Sequence, residues 1–121
     1  MVKALFDTNI VIDFLNGVPE AQEVLDSYPE RAISIITWIE VMVGAPSDLG
    51  DATRAFLKGF EVIGLTQDVA DHAVIVRQSH RLKLPDAMIW AAAKANGLRL
   101  LTRDTKGFPR HHPDITVPYE L

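Results

Sequence analysis

The chain has 121 residues and no cysteine, which excludes disulfides, thiolate metal ligands and a cysteine nucleophile. Hydrophobic residues make up 48% of the sequence and charged residues 23%, a composition typical of a folded globular protein rather than a disordered one. This length predicts one domain over residues 1–121, and no apolar run approaches the roughly 18 residues that a membrane span needs. We therefore expect a soluble, cytoplasmic protein.

The formal net charge of −4 hides an uneven distribution along the chain. Residues 1–76 carry twelve acids and four bases, whereas residues 77–121 carry eight bases and four acids. A basic face in the second part could bind phosphates, and an ordinary solvated surface is the alternative interpretation. Charge alone leaves both interpretations open.

Short apolar runs alternate with segments of helical periodicity. In chain order, the first part predicts a strand at 2–6, helices at 10–15 and 19–28, a strand at 32–36, and helices at 37–44 and 49–60. The second part predicts a strand at 62–65, helices at 66–80 and 85–96, a strand at 98–102 and an edge strand at 115–117.

Several residues mark where these helices begin and end. Thr37 and Glu40 have the spacing of a capping box, which predicts a helix beginning at Thr37. Thr66 is a suitable cap for the next long helix. Pro85 suits the first turn of the last helix, and Gly97 suits the position just beyond its end.

The alternation of apolar strands with helices predicts an α/β fold, in which helices cover both faces of a parallel sheet. Ligands in such folds bind beyond the carboxyl ends of the strands. Acids lie near these strand ends. Asp7 and Asp104 follow strands, and Glu40 lies in the first turn of the helix that follows the strand at 32–36. Asp86 lies at the start of a helix.

Each of the four acids also has an ordinary structural explanation, as a cap, a turn residue or a partner of a helix dipole. Their combined occurrence is harder to explain in this way, because clustered carboxylates repel one another unless a cation joins them. Oxygen-only ligation suits Mg²⁺ or Mn²⁺. A hard cation among carboxylates supports the hydrolysis of phosphoesters.

The stretches that contain these acids resemble the PIN domain family, and most closely its VapC-type ribonuclease toxins of type II toxin–antitoxin systems. The matching stretches, in the family's order, are 5–9 (LFDTN), 35–41 (IITWIEV), 84–93 (LPDAMIWAAA) and 101–108 (LTRDTKGF). The resemblance covers essentially the whole chain. It implies a PIN-like three-layer α/β/α fold with a central parallel sheet of four to five strands.

The resemblance also implies roles for the acids in a Mg²⁺- or Mn²⁺-dependent endoribonuclease. Asp7 and Asp86 would be the main metal ligands. Glu40 would hold or help to activate a water molecule at the metal, and Asp104 would complete the pocket directly or through water.

Two polar residues near the acids look like supporting groups in this family pattern. Asn9 and Thr102 would orient the first carboxylates. Basic residues of the second part could also steer an RNA backbone toward the pocket, with a solvated rim as the alternative. The candidates for that contact are Arg81, Lys83, Arg103 and Lys106.

The family resemblance implies several partners. These are an RNA substrate, a VapB-type antitoxin that covers the acidic pocket, and a second copy of the chain in a homodimer. No membrane partner is expected.

Three other classes of protein are alternatives. A phosphorylation receiver domain would need an acid at the end of the third strand, where the sequence has Gly64-Leu65-Thr66. A nucleotide-binding module would need a glycine-rich loop after the first strand, and Asp7-Thr8-Asn9 has no glycine. A non-catalytic PIN-like module that binds RNA or protein is the third alternative.

Overall fold

The computed structural model describes residues 3–121. Its strands are β1 (Lys3–Phe6), β2 (Glu30–Ser34), β3 (Glu61–Ile63), β4 (Arg99–Leu101) and β5 (Ile115–Thr116). Its helices are α1 (Thr8–Leu15), α2 (Pro19–Asp26), α3 (Ile35–Gly44), α4 (Gly50–Leu57), α5 (Gln67–His80) and α6 (Leu84–Ala95), and a 3₁₀ turn (Ser47–Leu49) precedes α4. Val2, which the sequence places in the first strand, lies outside the described residues.

The five strands form one sheet in the order β3-β2-β1-β4-β5, and all neighbouring strands are parallel. The predicted α/β class and three-layer architecture are therefore confirmed. From β1 the chain builds the sheet outward through β2 and β3, and then adds β4 on the other side of β1. The carboxyl ends of β1 and β4 flank this change of direction, which is where such sheets bind ligands.

Alternation along β1 divides the apolar core between the two faces of the sheet. Ala4 and Phe6 pack with the cluster that includes α1, α2, α3 and α4. Leu5 points to the opposite face and packs with the cluster formed by α5 and α6. These three side chains are fully buried, so the strand that precedes Asp7 is covered on both faces.

The expected start of α3 at Thr37 is wrong. Ser34 caps this helix instead: its Oγ accepts a hydrogen bond from the backbone N–H of Ile36 at 3.0 Å. The helix therefore begins at Ile35, and β2 ends at Ser34 rather than at residue 36. Thr37 is buried within the helix, and Glu40 lies in its second turn instead of its first.

The other helix signals agree with the structure. The side chain of Thr66 accepts a hydrogen bond from the N–H of Val69 and caps α5. Pro85 lies in the first turn of α6, and Gly97 has the positive φ of +66° that follows a helix end. None of the helices between residues 3 and 121 is long and apolar enough to cross a membrane.

Candidate active site

Asp7 lies between β1 and α1 and is only 4% exposed. It is the N-cap of α1, and its Oδ1 accepts the backbone N–H of Thr8 at 2.8 Å. The other carboxylate oxygen, Oδ2, accepts the hydroxyl of Thr102 at 2.7 Å. The structure thus gives Asp7 both the capping role and the strand-end position that the sequence suggested.

The electrostatic surroundings of Asp7 disfavour its charged form. Burial, as the largest cause, raises its pKa from an ordinary 3.8 to about 7, against the lowering effect of the hydrogen bonds from Thr102 and Thr8. The negative charges of Asp86 and Asp104 raise the pKa further. Asp7 is therefore a desolvated carboxylate whose charged neighbours are other carboxylates.

Asp86 faces the same site from the first turn of α6 and is half-buried. Its pKa is raised by desolvation first, and then by the charges of Asp104 and Glu40, while Lys83 partly opposes them. The fold therefore brings the four predicted acids into one electrostatically coupled group, although they come from four separate segments of the chain.

Asp104 is held by the loop that follows β4. Its Oδ1 accepts the backbone N–H groups of Lys106 at 3.0 Å and Gly107 at 2.9 Å. A Cβ atom on Gly107 would overlap Oδ2 of Asp104 and would lie 3.4 Å from Oδ2 of Asp86. The missing side chain of Gly107 thus leaves room for two carboxylate oxygens that approach the same point.

Glu40 reaches the site from the second turn of α3 and is exposed. Its Oε1 accepts the hydroxyl of Thr8 at 2.7 Å. Thr8 Oγ1 also lies 2.9 Å from Thr37 Oγ1. Because the single hydroxyl proton of Thr8 is given to Glu40, Thr37 must be the donor to Thr8.

Thr8 was therefore missed as a supporting residue by the sequence interpretation. The signal was its place inside the Asp7-Thr8-Asn9 motif, where only the two flanking residues received roles. Both of its contacts depend on the packing of α1 against α3, which the local sequence does not reveal.

Asn9 and Thr102 hold the site together from the side of β4. Thr102 is buried, donates to Asp7, and accepts the backbone N–H of Asp104 at 3.0 Å. The Asn9 amide donates to Thr102 Oγ1 at 3.4 Å and accepts the backbone N–H of Arg103 at 3.4 Å. One hydroxyl thus links the segments that carry two of the acids.

Asp13 is a second buried acid on α1, and the sequence gave no reason to single it out. It is 4% exposed, like Asp7. Desolvation favours its neutral form, but hydrogen bonds from Arg103 and Tyr119 and the charge of Arg103 prevail, so its pKa is lowered. Asp7 and Asp13 have the same exposed fraction but differ in their charged neighbours, because Asp13 has a cationic partner and Asp7 faces other carboxylates.

The geometry and the donor atoms of the acidic group show whether it suits a metal ion. Within residues 3–121, no three acidic or histidine side chains already surround one point as a closed metal site. The donor chemistry nevertheless fits, because Asp7, Asp86 and Asp104 offer only oxygen ligands and a cation would relieve their repulsion. The residues therefore suit a hard divalent cation such as Mg²⁺.

A cleft with basic residues adjoins the acids. It is lined by Arg81, Lys83 and Lys106 together with Asp86 and Asp104. Arg81 adopts the left-handed conformation (φ 54°) where α5 ends and the chain turns toward α6. Three of the four expected RNA-contact residues therefore border the acidic group.

Arg103, the fourth of them, is placed differently. Its guanidinium pairs with Asp13 through Nε and through Nη2, the latter at 2.9 Å from Oδ1. This pairing directs the guanidinium toward Asp13 of α1, although Arg103 also lines a second cleft together with Asp104 and Lys106.

The match to the model of the PIN domain family spans residues 4–112, and the chain belongs to that family. It is 48% identical to a chain of a solved toxin–antitoxin complex from Klebsiella pneumoniae, with a TM-score of 0.93 and coverage of 98% of this chain and 99% of that one. It is 25% identical to a chain of DNA-bound VapBC from Salmonella typhimurium, with a TM-score of 0.75 and coverage of 95% and 96%.

A third similar structure is FitAcB from Neisseria gonorrhoeae. The identity is 23%, the TM-score is 0.77, and 98% of this chain and 99% of that one are covered. At this identity the likeness concerns the fold alone. No curated protein matches the chain. The predicted resemblance to the PIN domain family and its VapC-type members is confirmed.

The pKa of Asp7 predicts a stability effect with a definite sign. Its folded-state pKa lies above the unfolded one, so ionisation of Asp7 costs stability progressively as the pH rises from about 4 to 7. Without metal, Asp7→Asn should raise the free energy of unfolding at about pH 8 by on the order of 2–4 kcal/mol, and change it little at about pH 4. Urea denaturation with a chelator present measures both values.

Asp13→Asn is the control because Asp13 has the same exposed fraction as Asp7 but a lowered pKa. This variant should be destabilised, and more at about pH 8 than at about pH 4. A pH-independent effect of Asp7→Asn would contradict the proposed environment of Asp7.

Gly107→Ala should disturb the acids without adding or removing a charge. The new methyl group would overlap Oδ2 of Asp104, and this carboxylate cannot rotate without losing hydrogen bonds from two backbone N–H groups. We expect Mn²⁺ affinity, measured by calorimetry, to fall by about 10-fold or more. Gly50→Ala, where a Cβ meets nothing within 4 Å, is the control and should bind Mn²⁺ like the wild type.

Proposed function

We propose that this protein is a VapC-type toxin that acts as a Mg²⁺- or Mn²⁺-dependent endoribonuclease and hydrolyses RNA phosphodiester bonds. The observation that carries the proposal is the buried Asp7 carboxylate, which faces Asp86 and Asp104 rather than a cationic partner. Membership of the PIN domain family and the 48% identity to a chain of a toxin–antitoxin complex support it.

In this proposal Asp7 and Asp86 would hold the cation, and Asp104 would complete the pocket directly or through water. Glu40 would hold or help to activate a water molecule at the metal. A bound Mg²⁺ supplies Lewis-acid polarisation of water and of a phosphate oxygen. Thr102 orients Asp7 by donating to its Oδ2, and Thr8 orients Glu40 by donating to its Oε1. Glu40 is the exposed member of the group and is therefore suited to accept a proton from an attacking water.

The substrate approaches, in this proposal, along the cleft that contains Arg81, Lys83 and Lys106. Their positive charges attract the RNA backbone regardless of base sequence, because phosphate contacts position a nucleic acid without reading it. Asp86 and Asp104 border the same cleft, so a phosphate bound by these basic side chains would lie beside the acidic side chains.

The proposal also includes partners. A VapB-type antitoxin would cover the acidic pocket and suppress cleavage, and two copies of the chain would form a homodimer in the cytoplasm. The solved complexes that resemble this chain, from Klebsiella pneumoniae and Salmonella typhimurium, support an antitoxin partner.

The direct test compares purified wild type with Asp7→Asn and Asp86→Asn on total cellular RNA. With Mg²⁺ or Mn²⁺, we expect discrete cleavage by the wild type and a loss of about 100-fold or more in each variant, because charge stabilisation worth several kcal/mol is removed. A chelator should stop the reaction, and added metal should restore it. The exposed Asp51, far along the chain on α4, provides the control variant Asp51→Asn, which should cleave normally.

Other outcomes would contradict the proposal in distinguishable ways. Equal cleavage by wild type and Asp7→Asn would mean that the activity arises elsewhere or from a contaminant. Metal binding by the wild type without cleavage of any RNA would favour the alternative function, a non-catalytic PIN-like module that binds RNA or protein.

The antitoxin part of the proposal has its own test. Co-expression with a candidate VapB-type antitoxin should yield a stable complex in which RNA cleavage is suppressed. Dissociation by mild denaturant and refolding of the toxin should restore cleavage. A complex that cleaves as fast as the free protein would contradict a partner that covers the acidic pocket.

A further inference from the structure

The ion pair between Asp13 and Arg103 joins α1 to the segment that carries Asp104. The side chain of Asp13 is 6% exposed, whereas that of Arg103 is 33% exposed. Both carboxylate oxygens of Asp13 accept hydrogen bonds from the guanidinium, and Oδ2 also accepts the hydroxyl of Tyr119 at 2.8 Å. Such a two-point contact restricts the orientation of a guanidinium more than a single contact does.

Asn9 and Asp13 are one helical turn apart on α1 and therefore lie on the same face. Asn9 contacts Thr102 Oγ1 and the backbone N–H of Arg103, while Asp13 holds the Arg103 side chain. One face of α1 thus binds residue 103 through both its backbone and its side chain. The next residue in the chain is Asp104.

We propose that Asp13 is a positioning residue, which acts through Arg103 to set the location of the Asp104 carboxylate in the active site. This inference rests on the proposed function, and it assigns Arg103 to the framework of the site rather than to the RNA. Tyr119, near the C-terminal end of the described residues, also contacts Asp13, because its hydroxyl donates to the Asp13 carboxylate.

A direct phosphate contact by Arg103 is the competing interpretation. Asp13 already engages the Nε and Nη2 donors of Arg103, so a phosphate bound at that edge of the guanidinium would displace a carboxylate that is 6% exposed from its only ionic partner among the described residues. Breaking a buried pair in this way is strongly unfavourable. The geometry therefore favours the positioning role.

Asp13→Asn tests the proposal, since it keeps the shape of the side chain and removes its charge. We expect kcat for RNA cleavage to fall by about 10- to 100-fold, as is usual when a supporting contact of a metal-site residue is lost. Affinity for uncleaved RNA should stay unchanged, because Arg81, Lys83 and Lys106 remain in place. Amide hydrogen exchange should accelerate at Lys106 and Gly107, whose N–H groups donate to Asp104.

Asp114→Asn is the matched control. Asp114 also forms an ion pair, with Lys94 at 2.7 Å, and this pair lies on α6 and before β5 rather than between α1 and residue 103. This variant should keep the wild-type kcat and the wild-type exchange rates at Lys106 and Gly107.

The double variant Asp13→Asn/Arg103→Gln separates positioning from general stability. It leaves neither charge without a partner, so it should recover part of the unfolding free energy that Asp13→Asn loses. Its kcat should nevertheless remain low, because the ion pair that holds the side chain of residue 103 is still missing. This variant also replaces Asp13→Asn if the single variant does not fold, and a wild-type kcat in it would overturn the proposal.

Two further results would overturn the positioning role. One is a loss of RNA affinity in Arg103→Gln that Asp13→Asn does not share, which would show that Arg103 binds RNA directly. The other is unchanged hydrogen exchange at Lys106 and Gly107 in Asp13→Asn. The exchange measurement needs no catalysis, so it remains decisive even if the wild type cleaves no RNA and the proposed function fails.

Discussion

Asp7 follows a strand that is buried on both faces, and its charged neighbours are other carboxylates. The position follows from the topology: β1 lies between β2 and β4, so whatever follows β1 is enclosed by the loops of its neighbours. A neutral residue there would cost less free energy. The sequence nevertheless has a carboxylate there, at the point where the strand order of the sheet changes direction. A desolvated carboxylate beside other carboxylates is suited to bind a cation.

Asp13 is a buried acid on α1 whose partners stabilise its charge. Asp7 and Asp13 are equally exposed, but Arg103 and Tyr119 stabilise the charge of Asp13, and its pKa is lowered rather than raised. The two acids are served by adjacent residues after β4, because Thr102 donates to Asp7 and Arg103 donates to Asp13. The partners thus contribute to opposite pKa shifts: Asp13 has a cation beside it, whereas the charged neighbours of Asp7 are carboxylates that add to the effect of its desolvation.

The alternation of strands and helices was enough to predict the parallel sheet, and hence the edge at which acids following strands would meet. What the sequence could not reveal depends on packing between distant segments. Thr37 with Glu40 matched a capping box, yet Ser34 caps α3 because β2 ends earlier, and the Thr37 hydroxyl is used by Thr8. Asp13 and Arg103 are 90 residues apart, and no local pattern connects them.

The loop after β4 shows why the site depends on more than its acids. Arg103 is held by α1 on one side of Asp104, and on the other side Phe108 is 2% exposed and packs edge-on against Trp90 of α6 at 6.3 Å between ring centroids. Asp86 is on that same helix, one turn before Trp90. The distance between Asp86 and Asp104 is therefore governed by a core contact and an ion pair, both outside the acidic group. Gly107 leaves the space between these anchors in which the two carboxylates approach each other.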